Sequence, residues 1–171
     1  MKEWLLIDGY NVINHWQEFN KIREENLEHA RELLRAMVIE YGVYKGQQVI
    51  LVFDALEVQG VAKEEVVGGC TVVFTAEGET ADSWIERKVY SLVNAGTDVY
   101  VVTSDFAEQM SILGSGAYRI SAREFRDNYL IVKKYIAEHS ARIKGKTSRN
   151  ELGNNLKGDI LEQFEILRRK R

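Results

Sequence analysis

Apolar runs that end in an acid occur three times in this chain, and they constrain its fold more than any other feature. The first lies in LLIDGYNVI, where Leu5–Ile7 are apolar and are followed at once by Asp8 and Gly9. Runs of the same kind lead to Asp54 and to Asp105. Such near-continuous apolar runs are typical of parallel strands buried on both faces. Because parallel strands share a direction, we expect the three acids to lie at one edge of a sheet.

Helical patterns separate these strands. Two of the helices have a predicted N-cap and closing glycines: Asn26 with Gly42 and Gly46, and Thr80 with Gly96. Ser121 and Glu124 form a capping box that predicts a third helix, running to about Arg142. Alternating strands and helices predict an α/β fold with a mainly parallel central sheet flanked by helices. We expect a single domain over residues 1–141, with residues 142–171 as its basic helical C-terminal extension.

The remaining segments carry weaker patterns. The expected elements are an exposed loop from Leu56 to Gly69, a strand over Cys70–Thr75, a short helix over Phe106–Leu113, a short edge strand over Ala117–Ser121, a polar loop around Gly145–Asn155 and a final helix over Leu156–Leu167.

Charge is distributed unevenly along the chain, although the total is close to balanced. The 171 residues carry a formal net charge of −3. From Ser140 to Arg171 nine Lys or Arg stand against four Asp or Glu, a net of +5, and the remainder holds fourteen against twenty-two, a net of −8. An acidic body with a basic C-terminal region indicates an anionic partner. The predicted contacts to the phosphates of such a partner are Arg142, Lys144, Lys146, Arg149, Arg168, Arg169, Lys170 and Arg171.

Cysteine and histidine usage excludes two classes of site. The single cysteine, Cys70, cannot form an intramolecular disulfide, which favours a cytoplasmic protein and argues against a zinc site. The three histidines are scattered, so nucleophilic catalysis that depends on a histidine has no basis in the sequence. No apolar run reaches membrane-spanning length, and we expect no membrane partner.

Carboxylates are therefore the candidate catalytic groups. Asp82, in the first turn of the helix after Thr80, joins the acids at the strand ends: Asp8, Asp54 and Asp105. Like charges held close together raise one another's pKa, and a hard divalent cation such as Mg²⁺ or Mn²⁺ is the usual compensation. Such a cation can activate water for attack on a phosphodiester.

Each of these residues also has an ordinary alternative. The acids can be turn or helix caps, and Asn11 is either an orienting amide or a cap. Trp16, after the turn that carries Asp8, is either a core residue or a ring on which a nucleic-acid base could stack.

The runs IDGYNVI, VFDA, FTAEGETADSWIE and VVTSD, in this order, resemble the NYN domain of the PIN-like nucleases, and specifically the bacterial YacP-type proteins. The resemblance covers essentially the whole chain. It implies a metal-dependent endoribonuclease with catalytic acids at Asp8, Asp82 and Asp105, supported by Asn11, and with Asp54 as a further metal ligand. It also implies mRNA as the substrate and the ribosome as a partner.

Two other functions remain open on the sequence. One is a non-catalytic RNA-binding or ribosome-binding module of the same fold. The other is an Asp-dependent phosphatase, although such enzymes usually carry a second Asp two residues after the first, where this chain has Tyr10.

Overall fold

The computed structural model describes residues 2–55, 62–105 and 111–149, with residues 144–149 described by their backbone alone. Packing divides the chain into two units, Met1–Val132 and Lys133–Arg171. The first holds the whole sheet, and the described part of the second is the C-terminal portion of one helix. The expected division into residues 1–141 and 142–171 stays a prediction.

A six-stranded sheet forms the centre of the first unit. Its strands are β1 (Glu3–Asp8), β2 (Gln48–Phe53), β3 (Lys63–Val67), β4 (Cys70–Phe74), β5 (Asp98–Val102) and β6 (Tyr118–Ile120). They lie in the order β3-β4-β2-β1-β5-β6, and every pairing is parallel except that of β3 with β4. The predicted α/β fold with a mainly parallel sheet is confirmed.

The described helices connect the strands and cover both faces of the sheet. They are α1 (Gly9–His15), α2 (Asn20–Glu25), α3 (Leu27–Lys45), α4 (Ala81–Asn94) and α5 (Ala122–Arg149), with a 3₁₀ turn at Gln17–Phe19. None of the helices in the described ranges is long and apolar enough to cross a membrane.

The predicted helix caps form as hydrogen bonds. Asn26 accepts from the backbone N–H of His29 at 3.0 Å, and Thr80 accepts from that of Ser83 at 3.2 Å. At the start of α5, Ser121 and Glu124 exchange side-chain-to-backbone bonds of 3.2 and 2.7 Å. These side chains set where three helices begin.

Alternation along the strands builds a core on each side of the sheet. On one face, Leu6 of β1 and its neighbours on other strands pack against Ala81, Ile85 and Val89 of α4. On the other face, the fully buried ring of Phe125 lies 5.5 Å from that of Trp16, which is 1% exposed. Both faces of β1 are therefore covered, as its apolar run predicts.

Three of the expected boundaries are wrong. Residues 63–67 are not loop but the edge strand β3, joined to β4 through Gly68 and Gly69, which have φ of 59° and 82°. Gly42 lies within α3, packed against Val49, and only Gly46 ends the helix. Helix α5 continues past Arg142 to Arg149, replacing the first residues of the expected polar loop.

Other expectations are confirmed or lie outside the described residues. Strands β4 and β6 form within the segments expected for them, and β6 is an edge strand. Of the expected short helix before β6, residues 111–113 are helical, and residues 106–110 lie outside the described ranges. Residues 56–61 of the expected loop and the expected final helix also lie outside them.

Candidate active site

The strand order places the acids where an α/β sheet binds its ligands. From β1 the chain proceeds to β2 and β4 on one side, and then returns to β5 and β6 on the other. The order of the strands therefore reverses next to β1, and ligands of open α/β sheets bind beyond the carboxyl ends of the strands at such a point. Asp8 ends β1, whereas Asp54 and Asp105 follow the parallel neighbours β2 and β5. The predicted common edge is confirmed.

Asp8 is the most strongly perturbed acid at this edge. Its pKa is raised from 3.8 to about 6. Burial is the largest cause and the charges of Asp82 and Asp54 add to it, whereas a hydrogen bond from the backbone N–H of Asn11 opposes the rise. The Asn11 bond is 3.0 Å long and makes Asp8 the N-cap of α1. Capping and site chemistry are therefore not alternatives here, because the same carboxylate caps a helix and faces two other acids.

The N-terminus of α4 brings Asp54 and Asp82 to the same place. The backbone N–H of Ala81 donates to Asp54 Oδ2 at 3.4 Å, and Asp82 is the next residue of the helix. The hydroxyl of the buried Thr75 supports the approach to this helix, because it accepts from Ala55 N–H at 3.0 Å and donates to the carbonyl of Glu79 at 2.7 Å. The loop between β4 and α4 is thereby fastened to the end of β2.

Asn11 joins β1 to the loop after β5. Its side-chain Oδ1 accepts a hydrogen bond from the backbone N–H of Ser104 at 3.0 Å, and Ser104 Oγ accepts one from Ala122 N–H at 3.0 Å. Within the same loop, the backbone N–H of Asp105 donates to Thr103 Oγ1 at 3.1 Å. The Asn11 contact positions the Asp105 loop, and a direct role for the Asn11 amide in catalysis stays a prediction.

Asp105 differs from the other three acids in its surroundings. It is exposed, whereas Asp8, Asp54 and Asp82 are half-buried, and the carboxylates that raise the Asp8 pKa are Asp82 and Asp54. Asp54 is thus more closely coupled to Asp8 than sequence order alone indicated. The catalytic and metal-binding roles of all four acids stay predictions.

Trp16 is a core residue and not part of the site. Its indole N–H donates to the carbonyl of Ala122 at 2.8 Å, and its ring packs in the core beside that of Phe125. The interpretation of Trp16 as a ring for stacking RNA is wrong, because a base cannot reach a ring that is 1% exposed.

A cation also lies at this edge, and sequence reasoning missed it. Arg31 of α3 donates to the hydroxyl of Tyr10 at 3.1 Å, and its guanidinium carbon lies 6.0 Å from the centre of the Phe74 ring. A single Arg between the apolar positions of a helix is ordinarily a solvent-facing residue, so the sequence offered no signal for its place.

The family model described as the YacP-like NYN domain matches residues 5–169. The chain belongs to the YacP-like NYN family. It is 37% identical to the uncharacterized protein YacP of Bacillus subtilis (strain 168) over 165 residues, which are 96% of each chain. NYN domains belong to the PIN-like nuclease superfamily, so membership supports an RNA-cleaving hydrolase in general terms.

Solved structures agree with this YacP-like NYN assignment. The crystal structure of Rae1 (YacP) from Bacillus subtilis matches with a TM-score of 0.75 and 36% identity, covering 96% of this chain and 94% of that one. The crystal structure of a tryptophan-to-leucine mutant of that protein matches with a TM-score of 0.71 and 38% identity, covering 82% of each chain. The likeness therefore extends over nearly the whole chain.

PIN-like nucleases typically use divalent metals, and the oxygen donors at the YacP-like NYN site suit Mg²⁺ or Mn²⁺. In the described ranges, no group of three or more His, Cys, Asp or Glu is arranged to hold a metal. Mg²⁺ does not require such a cage, because it keeps several waters and is usually bound by one or two carboxylates together with substrate phosphates. Burial, and then the charges of Asp82 and Asp54, disfavour the ionised form of Asp8, and a bound cation would offset both effects.

The structure describes only part of the predicted RNA-binding set. Arg142 is exposed on α5. Lys144, Lys146 and Arg149 belong to the same helix, which is described there by its backbone alone. Arg168–Arg171 lie outside the described residues. RNA binding by these groups stays a prediction.

Proposed function

We propose that this protein is a divalent-metal-dependent endoribonuclease that cleaves mRNA in association with the ribosome. The observation that carries the proposal is the half-buried Asp8 carboxylate, coupled to Asp82 and Asp54 beyond the carboxyl ends of the strands in a chain of the YacP-like NYN family. A polar, acidic edge at the strand-order reversal is the expected place for phosphodiester chemistry on such a sheet.

In this proposal the four acids are the oxygen ligands of the metal. Asp8 and Asp82 would hold Mg²⁺ or Mn²⁺, and Asp54 and Asp105 would supply further oxygen ligands. When bound, the metal supplies an activated water and stabilises the charge that develops on the phosphodiester. Asn11 positions the Asp105 loop relative to Asp8, because it bonds to both places.

The basic residues bind the substrate rather than react with it. Lys and Arg contacts to phosphates give affinity that depends on salt and not on sequence. With a net of +5 from Ser140 onward against −8 in the residues before it, the C-terminal region is the part of the chain suited to a large polyanion such as the ribosome with its mRNA.

A circular single-stranded RNA tests the endonuclease proposal directly, because it has no ends from which an exonuclease can begin. We expect Mn²⁺ or Mg²⁺ to allow the wild-type protein to linearise the circle. EDTA or the Asp8→Asn substitution should leave it closed. Linearisation in excess EDTA would contradict metal dependence, and an intact circle with either metal would contradict the nuclease activity.

The ribosomal part of the proposal needs a separate comparison. The same mRNA is offered free and bound to translating ribosomes, with cleavage sites mapped in both. Faster cleavage on ribosomes by the wild type, and not by Asp8→Asn, is the expected result. Equal rates and equal sites in both samples would remove the ribosome from the proposal while leaving the nuclease activity intact.

A non-catalytic RNA-binding module is the second candidate. The observation in its favour is that the described residues do not form a preassembled group of three metal ligands. RNA binding of equal strength with and without Mn²⁺, and without cleavage, would select this function. The phosphatase alternative receives no support from the comparisons, and Tyr10, where such enzymes carry a second Asp, instead bonds to Arg31.

A further inference from the structure

Arg31 is a half-buried cation at the acidic edge of the sheet. It lies in the second turn of α3, and the groups that hold it lie at the carboxyl end of β4 and in the first turn of α1, just after β1. Tyr10 comes two residues after Asp8, and Phe74 is the last residue of β4. The guanidinium is therefore fixed on the same edge as the candidate active site.

The two contacts of Arg31 hold the guanidinium without neutralising it. The hydroxyl of Tyr10 accepts a hydrogen bond of 3.1 Å from one guanidinium nitrogen, and the centre of the Phe74 ring lies 6.0 Å from the guanidinium carbon. A guanidinium carries five N–H donors. A phenol and an aromatic ring leave both its charge and most of its donors available.

Tyr10 is itself held rigidly. Its ring packs at 5.1 Å on that of Phe53, which is 1% exposed. Phe53 lies so close to α1 that a Cβ on Gly9 would overlap the ring. The Arg31 guanidinium is thus positioned through Tyr10, which lies in the first turn of α1, the helix that Asp8 caps.

The neighbouring arginine on α3 is in a different situation. Arg35, one turn further along, forms an ion pair with Glu32 at 3.7 Å. Arg31 forms no ion pair with any carboxylate of the described residues. The two residues are a natural comparison, because they share a helix and a charge and differ in what holds them.

A second cation, Lys63, lies on the side of Arg31 that is further from the acids. Lys63 of β3 stands opposite Phe74 in the antiparallel pairing, so the two side chains share a face of the sheet. Its ammonium is paired with Glu65 at 3.4 Å. Lys63 is therefore a weaker phosphate-binding group than Arg31. A polyanion that touches Arg31 can continue past Lys63 along the end of β4.

We propose that Arg31 binds a backbone phosphate of the RNA strand beside the cleavage site and thereby sets where the strand lies relative to Asp8. An acidic edge repels a polyanion, so a fixed cation next to it is needed to bring the strand in. Arginine suits this task because its planar fork binds phosphate oxygens in pairs. The inference rests on the proposed RNA substrate and adds a binding residue to it.

The test compares Arg31→Gln with the matched control Arg35→Gln. Binding of a fluorescent single-stranded RNA is titrated in EDTA over a series of salt concentrations, and cleavage kinetics are measured separately with Mn²⁺. For Arg31→Gln we expect Kd and KM to rise about tenfold, with kcat within about twofold. The slope of log K against log salt should become shallower by about 0.7, the value of one phosphate contact to a single strand. Arg35→Gln should leave Kd, KM, kcat and the salt slope at their wild-type values.

Two conservative variants separate the fork from the charge. Arg31→Lys keeps the charge and should retain the wild-type salt slope with an intermediate Kd. Tyr10→Phe keeps the packing on Phe53 but removes the hydroxyl that orients Arg31, and should raise KM less than Arg31→Gln does. Thermal melts of every variant show that the comparison is made among folded proteins.

The outcomes distinguish this inference from the proposed nuclease function. If Arg31→Gln and Arg35→Gln bind RNA with the same Kd and salt slope as the wild type, the inference is overturned even when the wild type cleaves RNA. If the wild type does not cleave RNA but Arg31→Gln alone binds it weakly and with a shallower slope, the phosphate contact stands and the nuclease function fails.

Discussion

The side-chain carbonyl of Asn11 accepts a hydrogen bond of 3.0 Å from the backbone N–H of Ser104, 93 residues further along the chain. The backbone N–H of the same Asn11 donates to Asp8. One residue therefore holds the acid at the end of β1 and the loop that carries the acid after β5. The geometry of the candidate site depends on it.

Asn11→Ala should loosen that loop without unfolding the protein. Removal of the acceptor leaves the Ser104 N–H unsatisfied, which costs about 1–3 kcal/mol of unfolding free energy. The cleavage rate should fall by more than the loss of folded protein accounts for, because Asp105 is displaced relative to Asp8. Asn14→Ala on the same helix is the control, since Asn14 is exposed and its side chain bonds to Arg23. Cleavage assays measure activity, and urea melts measure the stability of both variants. An equal loss of activity in the two variants would contradict this role.

Asp8→Asn should change how the stability of the metal-free protein depends on pH. Burial, together with the charges of Asp82 and Asp54, raises the folded-state pKa of Asp8 from 3.8 to about 6. Between these pH values the folded state therefore binds the proton more tightly than the unfolded state does. The unfolding free energy of the wild type should therefore fall as pH rises from about 4 to about 6, by about 3 kcal/mol at most, and change little from this source above pH 6.

In EDTA, the Asn variant should lack that decline, and Asp127→Asn on the exposed side of α5 should keep it. Urea denaturation at a series of pH values measures the difference. If the stability of the wild type and of the Asn variant change in parallel between pH 4 and pH 6, the pKa of Asp8 is not raised in the folded state.

Asp82→Asn tests whether this residue belongs to the acid cluster or only to the helix end. Loss of a negative charge from the first turn of α4 costs a few tenths of a kcal/mol through the helix dipole. Removal of the repulsion with Asp8 should exceed this cost, so the variant should melt higher than the wild type in EDTA. Mn²⁺ should stabilise the wild type by linkage and the variant much less. A variant that melts lower in EDTA and responds fully to Mn²⁺ would place Asp82 outside the cluster.

Neutralising Arg168, Arg169, Lys170 and Arg171 should weaken binding to RNA or ribosomes and leave cleavage chemistry unchanged. Each lost phosphate contact should make the salt slope shallower by about 0.7 for single-stranded RNA. Binding titrations over a range of salt, together with single-turnover cleavage at saturating protein, measure the two effects separately. An unchanged slope would show that these charges do not contact phosphate.

Gly9→Ala should destabilise the first turn of α1, which follows Asp8. The added Cβ would overlap Cε1 of the buried Phe53 ring, and such overpacking typically costs about 1–3 kcal/mol. Gly114→Ala is the control, because a Cβ there meets nothing within 4 Å. Thermal melts should separate the two, and a Gly9→Ala protein as stable as the control would mean that Phe53 can move aside without cost.

The parts of the fold that follow from local patterns could be predicted. Buried strands and capped helices have clear signals in the sequence, and so the edge with Asp8, Asp54 and Asp105 was found. Strand β3 was missed because its KEEVV sequence is exposed on an edge and has neither apolar alternation nor strong strand propensity. Its signal was the Gly68–Gly69 pair, since two consecutive residues with positive φ are typical of a two-residue hairpin turn.

The details of the site depend on contacts that no local pattern contains. The approach of Asp82 to the other acids depends on the hydrogen bond between the N-terminus of α4 and Asp54. The position of Arg31 depends on aromatic residues of α1, β2 and β4. Sequence spacing can place a residue at an edge, but it cannot say which groups at that edge lie against one another.

The central place of β1 has a consequence for how the chain acquires its structure. β1 precedes every other strand in the sequence, yet its two neighbours are β2 and β5. During synthesis from the N-terminus, one side of β1 has no permanent partner until Asp98–Val102 has been made. The strand that carries Asp8 is thus the earliest part of the sheet to exist and among the last to be completed. Pairings that join residues so far apart form slowly and leave apolar strand edges open to association meanwhile.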